Sequence, residues 1–178
     1  AGAARIAASL YLDDKADLQK AADVFKAWTG DASAHQGFKF GDLSWQANPS
    51  SPVGINPKGA TLNGKNVDGV IPDDQRRGGG FAWPAPKENY VGEALQGATM
   101  QAEMLSRAGF DSWNWGEKAL MRAGDWLHNE AQFPAESDDK STAALLNARY
   151  GTGYPAGEAT GVGKAGGFGG WLFSAPAR

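Results

Sequence analysis

With 178 residues, no cysteine and a formal net charge of −3, the chain fits one domain able to bury a sizeable core by packing alone. The lack of cysteine excludes disulfides and thiolate metal sites. Seventeen Lys and Arg against 20 Asp and Glu argue against a dedicated nucleic-acid binder, and no apolar run approaches the ~20 residues that cross a bilayer.

The first ten residues carry a helical pattern with no capping residue ahead of Ile6 and Leu10. A first helix is expected to end near Leu12, and the chain reads as cut or processed from something longer. Asp13 or Asp14 caps a second helix with Leu18, Ala22, Phe25 and Trp28 on one face and Gly30 at its end. So short a turn makes the two an antiparallel αα-hairpin. From Asp31 to Lys87 the periodicity dissolves among Gly, Pro, Asn and Ser, yet Phe38, Phe40, Trp45, Phe81 and Trp83 are too frequent for a disordered linker. Glycines and prolines predict no regular element between Asp68 and Pro86, so Arg76, Arg77 and Trp83 are expected on a loop.

A long helix then opens at Lys87-Glu88-Asn89-Tyr90, with Val91, Leu95, Ala98, Ala102 and Leu105 on its buried stripe and Gly109 as its stop. Gln96, Gln101, Glu103 and Arg107 are expected on its other faces. Asp111 caps a further helix carrying Trp113, Leu120, Ala123 and Leu127 and running to about Asn129. After Pro134, Asp138 or Asp139 caps a shorter helix through Leu145 and Leu146 to Tyr150, and residues 160–178 form a glycine-rich tail. The expected fold is all-α, a single domain of antiparallel helical hairpins, stacked or toroidal rather than a four-helix bundle, with one long irregular aromatic-rich loop.

Several motifs have plain structural explanations. Gly161-Val162-Gly163-Lys164-Ala165-Gly166 fits the dinucleotide fingerprint by letter but lacks the flanking strand and helix. Asn48-Pro49-Ser50 is disqualified as a glycosylation site by its proline. Asp73-Asp74 and Asp138-Asp139 read first as turn and cap residues, and His128 as a surface residue or a partner of the helix C-terminal dipole. No metal site and no cofactor site is expected. Arg76-Arg77 stands apart, because a glycine run lets backbone approach a ligand and aromatics follow. Guanidinium forks onto a carboxylate while rings stack on the apolar face of a pyranose, which suits an anionic sugar. Tyr90, beside two arginines at a helix entrance, is a candidate proton carrier, and His35 a loop histidine within reach of a cleft.

Asp68-Gly69-x-x-Pro72-x-Asp74-x-x-Arg77-Gly78, followed by Tyr90-x-x-x-Ala94-Leu95, resembles the Asp-Gly-x-x-Pro-x-Glu-x-x-Arg-Gly…Tyr…Ala-Leu pattern of alginate lyase-like polysaccharide lyases. The likeness is best from Asp68 to Leu105 and extends to Trp113-Asn114-Trp115 and Trp126-Leu127-His128. It implies an incomplete (α/α) toroid, matching the C-terminal half of such an enzyme, and β-elimination on a uronate polymer. It further implies that Arg77 neutralises the uronate carboxylate and that Tyr90 moves the proton. Family members set the tyrosine closer behind the arginine than this chain does. Their neutralising Asn/His motif has no counterpart here, so His35 or Asn89 replaces it, or residues upstream or on a partner chain do. Trp45, Arg76, Trp83, Lys87 and Asn89 then line subsites for an anionic polysaccharide, with no nucleic acid or membrane as partner, in the periplasm or outside the cell.

Two other readings stay open. A glycoside hydrolase would use two of Asp74, Glu88 and Glu93, held about 5 to 9.5 Å apart. A noncatalytic domain would bind the glycan through its aromatic loop without turnover.

Overall fold

Asp14 accepts a hydrogen bond from the Asp17 amide at 2.9 Å and so starts the second helix where the capping rule places it. In the computed structural model, which describes residues 2–134 and 140–156, α1 (Gly2–Tyr11) and α2 (Lys15–Trp28) form the expected hairpin. Its inner face buries Ile6, Ala21, Ala22 and Phe25. On its outer side Arg5 pairs with Asp17, which also accepts from the Ser9 hydroxyl at 2.7 Å. Gly30, at φ +131°, turns the chain out of α2.

The long stretch that follows is irregular but firmly seated. Trp45, Ile55, Val67, Val70 and Ile71 are buried. Amide side chains take over the work that a ladder would do. Gln46 accepts from the Val53 amide and donates to the Val53 carbonyl, while buried Asn56 donates to Trp45 O and accepts from the Ala47 amide. Two regular pieces depart from expectation. Thr61–Leu62 (β1) and Lys65–Asn66 (β2) pair antiparallel around Asn63-Gly64, whose positive φ angles of +49° and +73° suit a two-residue hairpin turn. Pro72–Gln75 (α3) and a 3₁₀ turn at Arg76–Gly78 make the arginine segment helical rather than a loop, because proline at the first helical position supplies φ and owes no hydrogen bond.

The central helix is α4 (Asn89–Arg107), which packs against α1, α3, α5 (Trp115–Asp125) and α6 (Lys140–Tyr150). Neighbours on so many sides bury more than one stripe. Gln96 and Glu103, which lie off the predicted apolar stripe, are each only 3% exposed. Glu103 accepts from Arg107 one turn on at 2.7 Å and from Arg149 of α6 at 2.9 Å, so its charge is paired where it is buried.

Asp111 does not begin α5. It holds the preceding turn by accepting from the Asn114 side chain at 2.7 Å, and Gly116, Glu117 and Lys118 take left-handed conformations before the helix settles. Tertiary contact imposes that entry: a Cβ on Gly116 would meet Thr29 O at 1.9 Å, and Arg122 donates to the carbonyls of Gly116 and Glu117. A π-helical turn, Trp126–Glu130, completes α5. His128, expected at the surface, is instead half-buried and stacked on Tyr154 at 4.1 Å. Its Nδ1 faces Gly124 O at 2.8 Å, and a carbonyl only accepts, so the proton sits on Nδ1. Among the described residues the chain is mostly helical, with one small two-stranded hairpin. The dinucleotide-like glycines at Gly161–Gly166, the glycine-rich tail and the Asp138-Asp139 cap lie outside the described residues.

Candidate functional site

The helical turn that carries Asp73, Asp74, Arg76 and Arg77 abuts the start of α4, with the segment 79–87 as an excursion between them. Three contacts close the base of this excursion. Gln75 Nε2 donates to Pro86 O at 2.8 Å. A Cβ on Gly78 would lie 3.1 Å from Pro86 and 3.3 Å from Glu88 Oε2. The Arg77 guanidinium lies 4.5 Å from the centre of the Tyr90 ring. The excursion is therefore an Ω-type loop whose ends meet. It offsets the long sequence gap between Arg77 and Tyr90.

Both members of that pair face solvent, Tyr90 at 47% exposure and the Arg77 side chain at 46%. Asp74 stands 3.8 Å from Arg77 Nε, a long and loose ion pair. Burial raises the Asp74 carboxyl to about 6, and the neighbouring Asp73 pushes the same way, while Arg77 and Arg76 oppose. Glu88 adds a further small upward push on Asp74. Its own carboxylate caps α4 by accepting from the Tyr90 amide at 3.1 Å. The site thus sets one phenol and one loosely held guanidinium beside a carboxyl raised to about 6.

The other expected residues distribute unevenly. Arg76 is engaged by Asp73 at 2.7 Å and lies against Gly41, where a Cβ would come within 2.7 Å of the guanidinium, with Asp42 nearby. Its charge is answered within the protein. Trp45 is fully buried, its indole N–H donates to Gly79 O at 3.0 Å, and its ring packs on Phe81 and Trp126. It supports the loop from below and is not an exposed stacking platform. His35 is exposed, with its ring edge-on to Phe38 at 5.3 Å, and is not one of the groups that meet at Tyr90. Asn89 is exposed at the first position of α4. Trp83, half-buried, has the Lys65 ammonium 5.8 Å from its ring, and exposed Lys87 lies 5.9 Å from the ring of Phe133.

Lys65 and Phe133 were not foreseen as neighbours of this loop. The Asn63-Gly64 dipeptide, a strong hairpin signal, was the clue to Lys65. Phe133 had none, because it arrives from the far end of α5.

A recess of about 130 Å³ opens between the hairpin and the end of α5, walled by Asn66, Asp68, Arg122, Asp125 and Glu130. Five of its polar groups are engaged within the protein: Arg122 pairs with Asp68, Asn66 donates to Glu130, and Asp125 accepts from Tyr154. It is a self-paired network. Among the described residues no group of three or more His, Asp and Glu is placed to hold a metal ion, and no helix is long and apolar enough to cross a membrane.

No family model, no curated protein and no solved structure matches the chain.

Proposed function

We propose that this domain is a polysaccharide lyase that cleaves a uronate polymer of alginate or glucuronan type by β-elimination. The observation that carries the reading is the stacking of Arg77 on Tyr90, both solvent-facing, although the loop separates them in sequence. Arg77 pairs with the uronate carboxylate, where negative charge gathers as the C5 proton leaves. A fixed cation aimed at that charge lowers the barrier more than it tightens ground-state binding. The Tyr90 oxygen, as phenolate, takes the C5 proton, the C4–O bond breaks as a C4=C5 double bond forms, and the phenol so formed returns that proton to the departing oxygen. The helical hairpins around α4 are, on this reading, part of an incomplete (α/α) toroid. The setting is the periplasm or the cell exterior, where such polymers occur.

The test is direct. The protein is mixed with alginate, glucuronan and hyaluronan, and near-ultraviolet absorbance follows the conjugated product. A rise that is lost in Tyr90→Phe, with binding retained, is the expected result. Full activity in Tyr90→Phe would remove the assignment.

One observation favours a second reading. Asp74 is raised to about 6 with Glu88 beside it, which is the asymmetry a paired-carboxylate hydrolase uses. New reducing ends without absorbance would select it.

A further inference from the structure

Three cation–aromatic pairs lie along the segment from Arg77 to Tyr90, and each joins different parts of the chain. Arg77 and Tyr90 meet at the loop's base, Lys87 meets Phe133 beside that base, and Trp83 meets Lys65 of the hairpin at the loop's far side. Other cations of the fold are engaged by carboxylates: Arg76 by Asp73, Arg122 by Asp68 and Arg149 by Glu103. The ammoniums of Lys65 and Lys87 are instead exposed and seated over rings. We propose that the Lys65–Trp83 and Lys87–Phe133 pairs are further subsites flanking Arg77–Tyr90, each taking one acidic sugar of the same anionic chain. This inference rests on the proposed glycan substrate and names the part of it that is held away from the reacting bond.

The chemistry of each pair matches one uronate residue. An aromatic face accepts the C–H face of a pyranose once the ammonium over it swings aside onto the carboxylate that the same sugar carries. Reach is also suitable. Lys87 and Tyr90 are three positions apart and Trp83 and Lys87 four, which limits their Cα separations to about 11 Å and 14 Å even for extended chain. The closed base of the loop brings Arg77 to the same end as Lys87 and Tyr90, through Gln75 to Pro86 and Gly78 against Glu88. A short oligosaccharide therefore spans all three pairs. Phe81, two positions before Trp83, packs on buried Trp45 at 4.9 Å, and Trp83 itself is partly buried against the same core, so the platform has a fixed footing.

The experiment titrates the Tyr90→Phe protein calorimetrically with oligomannuronates, oligoguluronates and oligoglucuronates from two to six sugars, and with the carboxyl-reduced hexasaccharides. Affinity is expected to climb with length for at least one uronate series and not for the reduced chains. Lys65→Met and Lys87→Met, which keep the alkyl stems at exposed positions and spare the fold, are each expected to weaken the hexasaccharide about fivefold to tenfold and leave the disaccharide unchanged. Raised salt should diminish the same gain, because the pairs are solvent-facing. Affinity independent of length, hexasaccharide binding unchanged in both lysine variants, or no binding of any series would overturn the subsites. Turnover by the unaltered protein is read separately. Elimination with no lysine effect removes the subsites and leaves the lyase, whereas length-dependent binding without turnover removes the lyase and leaves the subsites.

Discussion

Asp68 and Arg122 stand 54 positions apart and form an ion pair whose guanidinium side chain is 8% exposed. The same guanidinium donates to the carbonyls of Asn56, Gly116 and Glu117, so one side chain ties the irregular stretch to the unusual entry of α5. Gly69, next in sequence to Asp68, sits at φ +81° against the α5 backbone, where a Cβ would meet Arg122 O at 2.2 Å. The Asp-Gly of the lyase-like motif is therefore architecture. Removing one partner of a buried ion pair leaves the other charged and unpaired, so Arg122→Ala should cost about 3 to 5 kcal/mol in urea unfolding. Gly69→Ala should also destabilise, through both the close contact and the positive φ. A loss below about 1 kcal/mol in either would contradict this account.

Asp74 gives a pH signature of the opposite sign to most carboxylates. Burial places its folded value near 6, above the unfolded one, so the folded state holds more protons between about pH 4 and 6 and stability falls as pH rises through that window. With the side chain 23% exposed, the cost at pH 7.5 is on the order of 2 kcal/mol. Asp74→Asn should be more stable than the unaltered protein at pH 7.5, with the difference gone near pH 4. Parallel pH dependence of the two proteins would refute it.

Glu103 behaves the other way. Burial disfavours its charge, but bonds from Arg107 and Arg149 outweigh that and hold the carboxyl below its usual range. Its contribution is present above the unfolded carboxylate value and is lost as pH falls through the folded one. The Arg107 side chain is 66% exposed and Arg149 35%, so Arg149→Ala should cost more than Arg107→Ala, which should stay within about 1 kcal/mol. Thermal or urea unfolding of the two variants gives the comparison, and the reverse order would show that α4 and α6 are not joined here.

Two tryptophans of similar sequence setting should separate cleanly. Trp45→Ala empties the floor under Phe81 and leaves Gly79 O without its donor, so a loss of about 3 to 5 kcal/mol is expected. Trp83→Ala should change stability far less and change binding of long uronate oligomers far more. Denaturant midpoints and titration calorimetry on both variants would decide it, and equal stability losses would place Trp83 in the core instead.

The sequence by itself determined α1, α2, α4 and α6, because periodicity, caps and stop residues act within a few positions of one another. It also singled out Arg77 and Tyr90, whose residue types suit a carboxylate and a proton whatever surrounds them. Only the tertiary structure decided that the loop between them closes, that Arg76 is answered by Asp73, and that Trp45 lies beneath the site while Trp83 lies beside it. The buried faces of Gln96 and Glu103 and the late start of α5 were likewise illegible locally, since they depend on α6 and on Thr29 arriving from distant parts of the chain. Propensity is a local energy. Burial, ion pairing and the meeting of Lys65 or Phe133 with the loop are set by long-range contacts that no single window of residues contains.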